Sequence, residues 1–129
     1  MPDQSVVSPP QPSVGAAQSY IEGEYGGPTE EQDIEKSVGS VTPVKILGND
    51  PERLSVVIVN LGTEPVYVMF DDEVSTSRGI YLAGSGGFVS MDVRNDQTLP
   101  TREWFALSST GTSDVFVIST RRYALTGPQ

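Results

Sequence analysis

The chain has 129 residues, enough for one domain, and it contains no cysteine and no histidine. Disulfides, thiolate nucleophiles, cysteine-based metal sites and histidine bases are therefore excluded, and we expect a protein that is not an enzyme and uses no cofactor. The formal net charge of −9 makes nucleic acid an unfavourable partner, and no apolar run approaches the roughly 18–20 residues of a membrane span.

Residues 1–40 are predicted to form an extended, acidic, proline-rich arm in front of the folded domain. Residues 1–36 hold 7 acidic side chains against Lys36 alone, and 5 of the prolines. Such a segment buries too little apolar surface to offset the entropy of ordering it. Its irregularly spaced apolar residues predict a strap that docks on another chain, although a solvated tail fits the same composition. The predicted anchors are Val6, Val7, Val14, Tyr20, Ile21, Tyr25 and Ile34.

Residues 41–129 are predicted to form an all-β domain, an antiparallel β-sandwich or jelly roll of about seven strands. Short runs of β-branched and aromatic residues alternate with Gly, Pro, Asn and Asp, which are the residues that form turns. No amphipathic helix of useful length interrupts them. The predicted strands are 42–47, 53–61, 66–70, 79–82, 88–93, 103–107 and 115–120.

Several of these strands are apolar on both faces. In run 53–61 one face would carry Leu54, Val56 and Ile58, and the other Val57, Val59 and Leu61. Run 115–120 repeats this pattern. A single small sandwich has one interior, so the second apolar face needs another cover. We therefore expect a homo-oligomer; the alternative is that the arm wraps its own domain.

Two acidic groups are candidate sites for metal binding or hydrolysis. Asp71-Asp72-Glu73 could bind Ca²⁺, but it lacks the spacing of a calcium loop, which favours a solvated turn. Asp92, Asp96 and Glu103 could supply the carboxylate pair of a glycosidase, but nothing in the sequence brings them together. We predict that both groups are ordinary surface acids.

A basic pair follows the last predicted strand. Arg121 and Arg122 could clamp carboxylates of a neighbouring chain or of the acidic arm, or they could mark a solvated strand end. We include both arginines among the partner-binding residues. Trp104, the only tryptophan, is predicted to fill the core rather than to stack on a ligand.

Four motifs follow one another in the β-rich part. Asn49-Asp50-Pro51-Glu52-Arg53 opens a strand that ends at Asn60, and three further motifs follow it: Val66-Tyr67-Val68, Gly79-Ile80-Tyr81-Leu82 and Arg102-Glu103-Trp104-Phe105-Ala106. Over about residues 43–120 this pattern resembles small virion structural proteins of tailed bacteriophages. The resemblance implies capsid decoration, cement or head-fibre-base proteins, located in the virion and assembled in the host cytoplasm.

The leading hypothesis is a structural protein that decorates or stabilises a phage capsid and binds the major capsid protein, other virion proteins or neighbouring copies. A first alternative places it in the neck, tail or receptor-binding fibre. A second, of another class, is a carbohydrate-binding module that presents aromatic rings to a sugar. The candidate rings are Tyr67, Tyr81, Trp104 and Tyr123.

Overall fold

The computed structural model describes residues 28–122, which form eight strands in two four-stranded antiparallel sheets. The strands are β1 (Thr29–Val38), β2 (Val44–Leu47), β3 (Arg53–Asn60), β4 (Val66–Met69), β5 (Ile80–Leu82), β6 (Phe88–Asp92), β7 (Trp104–Ser108) and β8 (Ser113–Arg122). A short helix α1 (Val93–Asp96) and a 3-10 turn (Leu99–Thr101) link β6 to β7. Neither helical segment is long and apolar enough to cross a membrane.

The strand order identifies the fold. The first sheet runs β1-β8-β3-β6 and the second runs β2-β7-β4-β5, so each sheet alternates strands from the two halves of the chain. This is the order of an eight-stranded jelly roll. The predicted all-β sandwich or jelly roll is confirmed, and all seven predicted runs are strands with ends within two residues of the prediction.

The predicted domain boundary at residue 40 is wrong, because residues 29–38 form strand β1. The whole strand pairs with β8, from Thr29 opposite Arg122 to Val38 opposite Ser113. Val38 is fully buried, whereas the rest of β1 is polar or partly exposed, so its composition is that of a solvated segment. The predicted anchors at residues 6–25 lie outside the described residues, and their docking stays a prediction.

The core lies between the two inner faces. Trp104 is fully buried, as predicted, and the ring of Phe70 packs edge-on against it with centroids 4.6 Å apart. The remaining core consists mostly of β-branched residues, which suit a pleated surface. Its buried members are Val38, Val56, Ile58, Val115 and Val117 of the first sheet, and Ile46, Val66, Val68, Leu82 and Ala106 of the second.

Strand β3 carries a bulge that changes which residue enters the core. Against β8, Arg53 pairs with Arg121 but Ser55 pairs with Thr120, so Leu54 is the extra residue. Arg53 is buried beside the core, while Leu54 is only partly buried. The expectation that Leu54 shares the inner face with Val56 and Ile58 is therefore wrong.

The buried Arg53 holds two connections at one end of the sandwich. Its guanidinium donates to the carbonyl of Gly48 at 2.9 Å, and to those of Pro100 and Arg102 at 3.2 and 3.1 Å. Burial lowers the pKa of this guanidinium, an effect that the nearby Asp50 carboxylate opposes. The β2–β3 loop and the turn before β7 are thus fixed by the first residue of β3.

Asn60, the last residue of β3, holds the connections at the other end of the sandwich. Its side-chain amide is fully buried and donates to the carbonyls of Glu64, Leu82 and Ala83 at 2.7–3.2 Å. Its oxygen accepts from the Gly62 amide at 3.1 Å and from the Ser113 hydroxyl at 2.8 Å. One side chain therefore ties together the β3–β4 turn, the end of β5 and the start of β8.

We expect Asn60→Ala to lower the free energy of unfolding by about 2–4 kcal/mol, because it leaves buried carbonyls and the Ser113 hydroxyl without their partner. Trp104 fluorescence during urea unfolding measures this change. The control is Asn49→Ala, the same substitution at an exposed position, which should change stability by less than about 0.5 kcal/mol. Equal effects of the two changes would contradict the role given to Asn60.

A chain truncated to residues 39–129 should lose cooperative unfolding, because it lacks one of the two strands that pair with β8 and the buried Val38. Near-ultraviolet circular dichroism during a thermal ramp follows the transition. A chain that begins at Pro28 retains β1 and should unfold cooperatively. Cooperative unfolding of the 39–129 chain would show that β1 is dispensable.

Candidate docking surface

The outer face of the first sheet carries a continuous apolar patch. Phe116 lies opposite Val59 and Val59 opposite Phe88, which gives an apolar row across β8, β3 and β6. In the next row Ile118 lies opposite Val57. We call this surface the outer patch and define it by six residues: Val57, Val59, Leu61, Phe88, Phe116 and Ile118.

Much of the outer patch is open to solvent. Phe88 is 65% exposed, Leu61 61% and Ile118 39%, whereas Val57, Val59 and Phe116 are partly buried by their neighbours. Cross-strand apolar pairs stabilise a sheet by roughly 0.2–1 kcal/mol each, so part of this surface is explained by folding. The exposed side chains share one face of the sheet with these partly buried ones, an arrangement typical of a surface that binds another molecule.

A column of carboxylates borders the outer patch on β1. Glu31, Asp33 and Glu35 are exposed and lie opposite Thr120, Ile118 and Phe116 of β8. At the other end of strand β8, Arg122 is placed 3.6 Å from Glu52, a pair within the chain. The patch therefore has an apolar centre and a negatively charged border.

Arg121 is engaged by carboxylates of its own chain. Its guanidinium donates to both Asp50 carboxylate oxygens, at 2.8 and 3.2 Å, and to Glu30 at 3.1 Å. These hydrogen bonds hold the pKa of Asp50 below its usual value and raise that of Arg121. The sequence left open a clamp on a neighbour or on the acidic segment, and the structure has the contact to Glu30. Roles of Arg121 and Arg122 toward a partner stay predictions.

Ile34, the last of the predicted anchors, lies on the inner side of β1. It is opposite the buried Val117, yet it is 36% exposed because it borders an opening between the two sheets. It is thus separate from the outer patch, which occupies the opposite side of the same sheet.

Three of the acidic residues considered as reactive or metal-binding sites, Asp71, Asp92 and Asp96, make contacts within the chain. Asp71 forms two hydrogen bonds with Arg78, at 2.7 and 3.0 Å, which lower the pKa of the Asp71 carboxyl. Asp92 accepts from the amide of Asn95 and caps α1, and Asp96 accepts from the amide of Asp92. Within residues 28–122, no group of three or more acidic side chains is arranged to hold a metal ion.

The rings proposed for sugar binding are not on one surface. Trp104 is in the core, while Tyr67 and Tyr81 form an edge-on pair on the second sheet with centroids 5.4 Å apart. Tyr81 is 57% exposed and Tyr67 only partly. Tyr123 lies outside the described residues. Trp104 therefore contributes nothing to an exposed aromatic platform.

No protein-family profile and no curated protein matches the sequence.

Sequence reasoning found part of the outer patch. Apolar residues on both faces of runs 53–61 and 115–120 predicted Val57, Val59, Leu61, Phe116 and Ile118 as a second apolar surface. Phe88 was missed, although its alternation with the inward Val89 and Met91 was visible. The acidic border was missed because β1 was not predicted to be a strand.

We expect Asp50→Asn to lower the free energy of unfolding at pH 7 by about 1 kcal/mol, because it removes a charge-assisted contact to Arg121. The folded-state pKa of Asp50 lies below the ordinary 3.8, so its stabilising effect is complete above that pH and is lost as pH falls further. The decline in stability below about pH 4 should therefore be shallower in the variant.

Urea unfolding measured between pH 2.5 and 7 tests this. Asp72→Asn, which changes an exposed carboxylate in a turn, serves as the matched control. A pH profile of Asp50→Asn parallel to that of the unmodified chain would contradict the assignment.

Proposed function

We propose that this protein is a non-catalytic structural protein of a tailed-bacteriophage particle, which decorates or stabilises the capsid by docking on the major capsid protein. The outer patch with its acidic border supports this proposal, because exposed apolar side chains on one face are typical of a surface that contacts another protein. Two further observations support it. The motifs over residues 43–120 resemble virion structural proteins, and jelly rolls are frequent in viral capsids, although lectins and other proteins also use them.

The border indicates the chemistry of the partner. A second copy docking by the same face would bring its own Glu31, Asp33 and Glu35 toward an equally acidic surface, and buried like charges oppose association. A surface with an apolar centre and lysine or arginine at its edge would complement both parts of the patch. We therefore assign the outer patch to a basic region of the capsid surface rather than to self-association.

The area of the first sheet's outer face limits how much surface a contact with the capsid can bury. Four strands at about 4.8 Å spacing and six residues at about 3.4 Å give a face of roughly 400 Å². Stable protein interfaces bury about 800 Å² per partner, so this face alone would bind weakly. Repetition over a symmetric particle, or a second contact from the predicted anchors Val6, Val7 and Val14, would raise occupancy.

We expect Phe88→Asp to reduce binding to purified particles that lack this protein by at least about tenfold, because it places a charge at the most exposed apolar side chain of the patch. Co-sedimentation over a range of protein concentrations measures the apparent affinity. Tyr81→Asp is the matched control, since Tyr81 is a similarly exposed ring on the other sheet. It should bind like the unmodified protein.

The border is tested by charge reversal. Glu31→Lys with Asp33→Lys should weaken binding and remove most of its salt dependence, whereas Asp72→Lys with Glu73→Lys should not. Unchanged binding by both Phe88→Asp and the border variant would overturn the assignment of the patch. Electron microscopy of particles carrying the protein decides its location, and density confined to the neck, tail or fibres would replace the capsid assignment.

A further inference from the structure

A long strand edge and a groove lie on the same side of the sandwich. β1 ends the order of the first sheet and β2 that of the second, and a groove of about 430 Å³ lies between these two strands. Ile34 of β1, Leu47 of β2 and Val117 of β8 give the groove apolar walls. Ile34 is 36% exposed although it lies on the inner face, so the groove is open among residues 28–122.

Strand β1 is suited to pair with one more strand. It has ten residues in continuous register with β8, which is its only partner in the described part of the chain. The other edge of such a strand presents backbone donors and acceptors that need water or another strand. Proline, bulges, short length and charged side chains are common protections of an edge. β1 has only the charges, so the charges decide which strands can pair with it.

The charges of β1 favour a strand that alternates cationic and apolar residues. Glu31, Asp33 and Glu35 are exposed on the outer side, about 7 Å from one to the next. Residues that lie opposite one another on neighbouring strands share a face. A strand with lysine or arginine at every second position would therefore place one cation beside each carboxylate. Its intervening residues would lie on the groove side, next to Gln32 and Ile34, where apolar side chains fit.

The chain itself does not supply such a strand. Two β1 edges paired about a two-fold axis would place carboxylates beside carboxylates, which opposes association. The other edge strands of the two sheets, β2, β5 and β6, contain a single cation, Lys45. Residues 1–27 contain acidic residues but no lysine or arginine. A segment of another protein is therefore the occupant that complements the edge.

We propose that the β1 edge binds an extended segment of a partner protein, which alternates cationic and apolar residues and adds a strand to the first sheet. Its cations pair with the three exposed carboxylates of β1, and its apolar residues cover the groove at Ile34. In this kind of recognition the main-chain hydrogen bonds give affinity, and alternate side chains give specificity. The inference does not rest on the proposed function, because the edge and its charges define the partner segment.

A fluorescent peptide of about seven residues that alternates lysine and valine is the probe, since it is long enough to span Glu31 to Glu35. Fluorescence anisotropy measures its binding to the full-length protein. A peptide with the same residues in block order should bind at least about fivefold more weakly, because it has the same charge but cannot place its cations on one face. An alternating lysine–threonine peptide should also bind more weakly, because it keeps β-branched residues but loses the apolar contact with the groove.

Charge reversal on the protein is a second test. Glu31→Lys with Asp33→Lys should weaken binding of the lysine–valine peptide at least about tenfold. Asp72→Lys with Glu73→Lys, which makes the same change of net charge in a turn, should leave binding unchanged. An alternating glutamate–valine peptide should bind the first variant more tightly than it binds the unmodified protein. This gain also shows that the variant is folded.

Hydrogen exchange locates the bound peptide. The lysine–valine peptide should slow the exchange of β1 amides at least about fivefold. Phe88→Asp should leave this protection unchanged, because Phe88 lies on β6, the opposite edge of the sheet. Loss of particle binding through the outer patch and loss of peptide binding at β1 are thus distinguishable.

Three results would each overturn the proposal. The first is equal affinity for the alternating and block peptides, which would show attraction by charge alone. The second is protection confined to strands other than β1. The third is no binding at up to about 1 mM peptide, which includes an edge already occupied by residues 1–27 or by a second copy.

Discussion

The fold depends on the two buried polar side chains that begin and end strand β3. Arg53 binds three carbonyls from the β2–β3 and β6–β7 connections, and Asn60 joins the β3–β4 turn, β5 and β8. A jelly roll must pass its chain between sheets at both ends, where backbone groups leave the ladders. A buried polar side chain at each end gives those backbone groups hydrogen-bond partners and fixes the connections. Loss of either side chain would leave buried carbonyls unpaired and lower the stability of the fold.

Because Arg53 and Asn60 fix the connections from within the fold, the side chains on the outer faces of the sheets are less constrained by packing than those in the core. Inner-face residues such as Val56 and Val117 are buried and constrained by close packing, whereas Val57 and Ile118 pair with each other on the other side and keep part of their surface in contact with water. Apolar residues on that side stabilise the sheet only through cross-strand pairs, and they leave part of their surface exposed to water. Under the proposed function, contact with a partner would cover these apolar residues on three adjacent strands.

Alternation and turn residues were enough to predict seven strands, because each has a buried face and lies between Gly, Pro, Asn or Asp. They failed for β1, whose single fully buried residue, Val38, leaves no pattern to detect. These signals also failed to predict that Arg53 is buried, because the bulge at Leu54 shifts the alternation of inward and outward residues by one position. The motif from Asn49 to Asn60 was visible as a resemblance, but its physical meaning required the contacts of Arg53 and Asn60. The acidic border could not be predicted either, because its position beside the patch depends on the pairing of β1 with β8, and β1 was not predicted to be a strand.

Strand β1 also divides its charges by face. Glu30 points inward to Arg121, where its charge is compensated within the fold. Glu31, Asp33 and Glu35 point outward at every second position of the same strand, about 7 Å from one to the next, so their repulsion opposes folding. A strand that merely had to stay soluble could alternate the signs of its charges. Three carboxylates in one column instead produce a sustained negative potential beside an apolar patch. Under the proposed function, cations of the capsid surface would relieve that repulsion on binding, so the same carboxylates that oppose folding would favour a basic partner.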